Sequence, residues 1–384
     1  MNHRPIRVAV AGTNHGLSHV LEVLGNPRFK LVAICDRNER KLAELRGEKV
    51  EHSDEQPWFT AHRTALLEKV MAYPQLRDAR LLSDFDRMLE MSDVDAVIIA
   101  LPVHSNAQLA IKSLKAGKHT YTSKPFALTI EDATELRKAV LSSGLAFANG
   151  FQFRYAPLFQ QIRRSITDGY LGDVRQLWWN MTRLPLRPAF SRKDLSGGAY
   201  FAECCHWFDV IDYLLDGCRF TKVAAFGGLD RPNTHVDLAD NAVTIIEYEG
   251  GFRASVNFTY FTDQPEFNTF GLQGTDGKIR GDTDHGGSYV MFAGRGQDRT
   301  EFAVNPAHAY SSGPHQHLGF DVAHEEFARQ IETSDSAAAA AQAESGFENV
   351  LICLAAERAL DTGAIVTRDE VTGSVVPARS ASAT

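Results

Sequence analysis

The chain has 384 residues, 44% of them apolar and 23% charged, and a formal net charge of −8. That length favours two domains over one, and an acidic chain without clustered Lys and Arg argues against a nucleic-acid partner. No apolar run reaches membrane-spanning length and the opening MNHRPIRVAVAG has no signal-peptide core, so no membrane partner and a cytoplasmic location are expected; the five cysteines give no disulfide framework.

In chain order, IRVAVAG (6–12) is a β-branched apolar run ending in glycine, and a helix-like stretch follows from Gly16 to Leu24. KLVAICD (30–36) is a second apolar run, and ERKLAELRG reads as a helix stopped by Gly47. Residues 48–78 are polar and weakly periodic and read as an insertion with one helix-like piece, FTAHRTALLEKVMA. FDRMLEM is a short helix, DAVIIALP (95–102) a buried strand, NAQLAIKSLKAG (106–117) a helix with a glycine stop, HTYTSKP (119–125) a strand, EDATELRKAVLSSG (131–144) a helix and LAFANG a last strand. Strands alternating with helices imply βαβ units. Because the strands are apolar throughout, the parallel sheet is buried on both faces, as in a doubly wound α/β fold.

After residue 150 the pattern changes. The helix YAPLFQQIRRSITDG precedes VRQLWWNMTRL, and GGAYFAECCHWFD (197–209) runs on as a helix through WFDVIDYLLDG. Longer alternating strands follow between 219 and 294, with a hairpin signal in EGG (249–251). Strands without intervening helices predict a large, open, mainly antiparallel sheet with one covered face. Two helices come late, DVAHEEFARQIE and ESGFENVLICLAAERALDTG; the alanine-rich TSDSAAAAAQA between them reads either as helix or as connector, and VVPARSASAT as a frayed tail.

VAVAGTNHGLSHV joins the first strand to the first helix, the context that a dinucleotide fingerprint requires. Gly12 permits the tight turn and the helix N-terminus can receive a pyrophosphate. Asn14 stands where a second glycine is expected and Gly16 comes one residue early. Asp36 ends the second strand, where a carboxylate can hydrogen-bond both ribose hydroxyls and repel a 2′-phosphate. Arg37 beside it could pair with that phosphate, so NAD is expected and NADP stays possible. With Thr13 and His15, these residues form the predicted cofactor loop. ALPVHSN (100–106) ends another strand at the same edge and brings Leu101, Pro102, His104 and Asn106 to the cofactor; its alternative reading is a turn capped by Ser105 or Asn106.

GTNHGLSH, AICDRN, VIIALPVHSNAQLAIKSLKAGKHTYTSKPFAL and GGAYFAECCHWFD, in that order, resemble the Gfo/Idh/MocA family, the glucose–fructose oxidoreductase and inositol dehydrogenase type of enzyme. The likeness runs from about Ile6 to the helix ending near Gly363. It implies an NAD(P)-binding Rossmann domain (1–150), a substrate-binding and oligomerisation α/β domain (151–370) and a short tail (371–384). It also implies hydride transfer between NAD(P) and a hydroxyl carbon of a sugar, sugar derivative or cyclitol, in a homodimer or homotetramer. Some relatives use bound NAD for transient oxidation, giving elimination or glycoside cleavage without net redox change, and a non-catalytic binding protein is a third class.

By the same resemblance Lys124 matches the lysine of a Glu-Lys-Pro motif, His206 a catalytic histidine and Asp209 the aspartate after it. A histidine of near-neutral pKa suits removal of a hydroxyl proton, and a lysine can hydrogen-bond the same oxygen. The motif's glutamate is Ser123 here, and the acid four residues before the histidine is Ala202. Glu203, three before His206 and on a neighbouring helical position, is the candidate replacement. Arg154 and Tyr155 of FQFRYAP, with His317, are candidate substrate contacts; Arg154 in a structural ion pair is an equal reading. Gly197 and Gly198 are expected to allow close approach to cofactor or substrate. Consecutive residues diverge on a helix, so Cys204, Cys205 and His206 do not make a metal site. HQH (315–317) lacks a third ligand at recognisable spacing, and no metal is expected.

Overall fold

The computed structural model describes residues 4–50, 57–183, 192–231, 238–260, 267–283, 287–304 and 319–373. The chain packs as two compact units. One comprises Met1–Arg164, His285–Ser288 and Phe302–Phe347; the other comprises Ser165–Asp284, Tyr289–Glu301 and Glu348–Thr384. The chain thus returns to the first unit after leaving it.

The first unit holds six strands, β1 (Ile6–Ala11), β2 (Phe29–Cys35), β3 (Arg80–Leu82), β4 (Ala96–Ile99), β5 (His119–Thr122) and β6 (Phe147–Asn149). They pair in parallel in the order β3-β2-β1-β4-β5-β6. Its helices are α1 (Gly16–Gly25), α2 (Glu39–Leu45), α3 (Pro57–Met71), α4 (Phe85–Leu89), α5 (Val103–Lys115) and α6 (Ile130–Ser143). The apolar strands fill the core from both faces, with Val8, Val10, Ala96 and Ile98 fully buried. The strand order reverses between β1 and β4, and ligands of such sheets bind outside the carboxyl ends at that switch point. The expected doubly wound architecture is observed.

After α7 (Pro157–Thr167), the second unit carries β7 (Val174–Thr182), the short α8 (Lys193–Ser196), a π-helical turn Tyr200–Cys204 and α9 (Cys205–Leu214). Next come β8 (Phe220–Gly228), β9 (Asn241–Tyr248), β10 (Arg253–Thr259), β11 (Phe267–Gly274), β12 (Lys278–Asp282), β13 (Ser288–Ala293) and β14 (Asp298–Ala303). Helices α10 (Phe320–Thr333) and α11 (Ser336–Thr362) follow, then β15 (Val366–Thr367) and α12 (Arg368–Thr372). The nine-stranded sheet runs β14-β13-β12-β11-β7-β10-β9-β8-β15. It is mixed: β7 lies parallel to β10, while β8–β9, β9–β10 and β7–β11 are antiparallel. The long excursion between β7 and β10 permits their parallel pairing, which a hairpin cannot make. Leu177, Trp179, Met181, Val256 and Phe258 are buried on one face. On the other, Phe226, Val243 and Ile245 stay 65%, 54% and 55% exposed.

The alanine-rich segment is helical. Ser334, at φ +52, stops α10, and Asp335 Oδ1 accepts the Ala338 N–H, starting α11 with a side-chain cap. Of the expected tail (371–384), residues 371–373 end α12 and 374–384 lie outside the described residues.

Candidate functional site

In the first unit, Gly12 sits at φ +106, and a Cβ there would lie 2.2 Å from the Ala100 carbonyl oxygen. Only glycine lets the turn after β1 press against the end of β4. Leu101 lies beside the same spot, and Pro102, exposed His104 and buried Asn106 open α5. Neither alternative cap of α5 forms: Ser105 Oγ donates to the Pro102 carbonyl and Asn106 Nδ2 to that of Ser123.

Asp36 does more than await a ribose. Its Oδ2 accepts from the Thr13 N–H at 2.9 Å and from the Thr13 hydroxyl, and its Oδ1 accepts from the Asn38 N–H at 2.9 Å. A carboxylate offers about four acceptor sites, so about one remains for a single ribose hydroxyl rather than two. Asn14 receives Lys41, and Arg37 is exposed. His15 opens α1 without a side-chain cap, and α1 has no acidic residue in its first turn. Uncapped N–H groups at a helix start, a glycine turn and a carboxylate with a spare lone pair fit a dinucleotide's pyrophosphate and ribose.

The insertion contributes the least expected element. Arg63 on α3, only 3% exposed, pairs with Glu44 of α2 at 2.6 Å and donates from Nε to the Thr13 carbonyl at 3.2 Å. Thr13 is therefore held at its N–H, its hydroxyl and its carbonyl. Behind α1, the His15 ring meets the His19 ring edge-on, and His19 Nδ1 lies 3.0 Å from His324 Nε2. His324 Nδ1 donates to the Phe320 carbonyl, and burial lowers the His324 pKa to about 4. A neutral His324 then accepts from His19 at Nε2, so the pair is a buried core contact.

Ser123-Lys124-Pro125 follows β5 at the same carboxyl edge. Ser123 N and Oγ both donate to the Ile99 carbonyl, and a Cβ on Gly150 would come 3.0 Å from the Lys124 backbone nitrogen. Arg154 and Tyr155 occupy the 3-10 turn Gln152–Tyr155 after β6. Arg154 Nη2 donates to Ser345 Oγ at 2.7 Å, and Tyr155 OH accepts from Gln342 Nε2 at 2.6 Å, both on α11. Arg154 thus has the Ser345 hydroxyl as one polar partner. His317, like the rest of HQH, lies outside the described residues. Asp321 sits in the first turn of α10. No group of three or more His, Cys, Asp or Glu side chains among the described residues is placed to hold a metal.

Lys124 belongs to the first unit, and Glu203, His206 and Asp209 to the second. The stretch around them is not one continuous α-helix. Cys205 N–H reaches the Tyr200 carbonyl, an i→i−5 bond that makes 200–204 a π turn before α9 begins. More residues per turn means an angular step below the roughly 100° of an α-helix, so Glu203 lies nearer to the direction of position 202 than α geometry gives. Its carboxylate is 2.7 Å from Arg183 Nη1, an ion pair to the residue that follows β7. His206 and Asp209 are buried three residues apart on α9. Trp207 faces the sheet, stacked on Trp179 at 4.0 Å with its indole N–H on Met181 Sδ. Asn349 Nδ2 donates to the Cys205 carbonyl at 2.8 Å. Cys204 and Cys205 are fully buried, and burial raises the Cys204 thiol well above its ordinary range.

Gly198 makes a close approach within the second unit. A Cβ on Gly198, at φ +129, would fall 2.1 Å from the Glu357 carboxyl carbon. The close approach is to Glu357 of α11, a residue without a motif to mark it.

Residues 6–151 match the oxidoreductase family with the NAD-binding Rossmann fold, and residues 159–280 match the Gfo/Idh/MocA C-terminal domain. The chain belongs to the Gfo/Idh/MocA oxidoreductase family. It is an NAD-binding oxidoreductase of that family, as the loop geometry anticipates. Levoglucosan dehydrogenase of Pseudarthrobacter phenanthrenivorans is 27% identical over 264 residues, covering 60% of this chain and 67% of that one. The scyllo-inositol 2-dehydrogenase (NAD+) of Bacillus subtilis is 28% identical over 196 residues, covering 50% and 56%. Among solved structures, GenD2 from gentamicin A biosynthesis in complex with NAD superposes with a TM-score of 0.74 at 20% identity, over 96% of this chain and 97% of that one. That likeness concerns the fold.

Proposed function

We propose that the chain oxidises a secondary hydroxyl of a sugar, sugar derivative or cyclitol with NAD. The observation that carries the reading is the buried His206–Asp209 face on α9 in a chain whose Rossmann loop fits a dinucleotide. The names of its relatives, levoglucosan dehydrogenase and scyllo-inositol 2-dehydrogenase, supply the substrate class.

Bound NAD supplies the hydride acceptor. In this reading His206 takes the hydroxyl proton as the C–H bond breaks. Asp209, three residues on along α9, is a proposed substrate contact. Lys124 is the proposed hydrogen-bond donor that stabilises negative charge developing on the substrate. Gly12, Thr13, Asn14, His15 and Gly16 receive the pyrophosphate, Asp36 one ribose hydroxyl, with Arg37, and Leu101, Pro102, His104 and Asn106 flank the nicotinamide end. Glu203 acts through its pair with Arg183 rather than as an independent acid. Arg154, Tyr155 and His317 complete the proposed substrate contacts.

A panel of sugars and cyclitols incubated with NAD tests the reading through NADH absorbance. Accumulating NADH with one of them is the expected result. Cleavage of a glycoside without NADH would point instead to transient oxidation. The exposed Phe226, Val243 and Ile245 on the open sheet face favour a homodimer or homotetramer through that face. Light scattering is expected to give a multiple of the 42.4 kDa chain mass.

A further inference from the structure

Glu357 lies on α11 and is 7% exposed. Its Oε1 accepts the Tyr200 N–H at 2.8 Å, at the start of the π turn that leads into α9. Its Oε2 lies 3.7 Å from Lys193 Nζ, which itself sits 2.6 Å from Asp361 Oδ2. Gly198 has no side chain where the carboxyl group rests. The first turn of any helical run presents N–H groups without internal partners, and a side chain from the preceding residues normally meets them. Here Ala199 precedes the run and makes no side-chain cap. A carboxylate 157 residues away takes that place.

We propose that Glu357 is a positioning residue: its carboxylate caps the helical run that carries Glu203, His206 and Asp209 and holds it in the register the reaction uses. This inference rests on the function proposed above.

The charge separates positioning from mere packing. A glutamine would accept the same Tyr200 N–H without ionising. Burial, the largest cause, raises the Glu357 pKa to about 7, while the Tyr200 N–H and Lys193 lower it and Asp361 raises it. The groups facing it are Lys193 on α8, Asp361 one turn along α11, the Tyr200 phenol and the Cys204 thiol. A folded pKa above the ordinary carboxylate value means that the group's contribution to stability is full at acid pH and is lost as pH rises through about 7. Ionised Glu357 therefore costs stability, while its negative charge suits the positive end of the helical run.

The test uses the full chain with Glu357→Gln and Glu357→Ala. At a pH about one unit above the Glu357 pKa, Glu357→Gln is expected to lower kcat about tenfold, on the scale that separates charged from neutral acceptors. Its KM for NAD stays at the parent value, and the kcat profile loses its inflection near 7. Its thermal midpoint at that pH equals or exceeds the parent's. Glu357→Ala loses both activity and midpoint. Independently of turnover, protection of the Tyr200 amide against hydrogen exchange rises through neutral pH in the parent and stays flat in Glu357→Gln. Parent-like kcat, inflection and Tyr200 protection in Glu357→Gln would overturn the proposal, and so would a lowered midpoint, which would make the carboxylate a stability element. If no sugar or cyclitol is oxidised, the reaction reading fails, and the Tyr200 amide still decides the role of Glu357.

Discussion

The nucleotide loop and the histidine helix are secured over very different distances along the chain. Thr13 is tied to Asp36, 23 residues away, and to Arg63, 50 residues away. The run from Tyr200 to Leu214 is tied to Asn349 and Glu357, 144 and 157 residues away. A βαβ unit makes its own binding edge from neighbouring strands. A helix laid on a sheet takes its axial position from whichever element covers it, here α11. Geometry at the loop is thus a local property, and geometry at the helix is a property of the whole second unit.

The strongest challenge to that contrast is Arg63, the farthest partner of the loop. Arg63→Met would leave Glu44 nearly buried and uncompensated, a loss of about 3–5 kcal/mol. Urea unfolding is expected to show it, together with a raised KM for NAD at unchanged kcat. Recovery in the Glu44→Gln double variant would tie the loss to the ion pair. His206→Asn comes next: turnover falls about 100-fold or more, the scale of a lost general base. NAD affinity measured by calorimetry stays put, because the two regions act on different molecules. Gly198→Ala asks whether the distant partner matters, since its Cβ meets Glu357 at a φ that side chains avoid. About 2 kcal/mol of stability is expected to go, with a smaller loss in a Glu357→Ala background; strict additivity would break the link. The smallest effect belongs to Asp36→Ser, which narrows the preference for NAD over NADP by about tenfold. An unchanged ratio of the two kcat/KM values would remove Asp36 from the ribose.

What could be read in advance follows the same division. The apolar runs ending at Gly12, Asp36 and Pro102 are local patterns, and the Rossmann sheet with its loop was legible from them, save for the short strand β3. Glu203 was legible as a carboxylate near His206, but its pairing with Arg183 was not, because β7 reaches it only through the fold. The π turn left no mark in residue spacing. Gly198 announced a close approach without naming the neighbour, and Glu357 looked like one more acid on a long helix. Arg63 was hidden in a segment whose polarity suggests mere solvent exposure, although its guanidinium is buried.

The five cysteines are all free, and Cys35, Cys204, Cys205 and Cys353 are buried. Burial pushes the Cys35 thiol up to about 12 and raises that of half-exposed Cys218 as well. Alkylating reagents and oxidants attack thiolates, so Cys35 and Cys204 are shielded twice, by access and by protonation. The cysteines lie in both units, with Cys35 at the end of β2 and the other four in the second unit. Mass spectrometry after brief alkylation under rising urea would therefore time the opening of each unit separately. The protein carries its own unlabelled clock for which half lets go first.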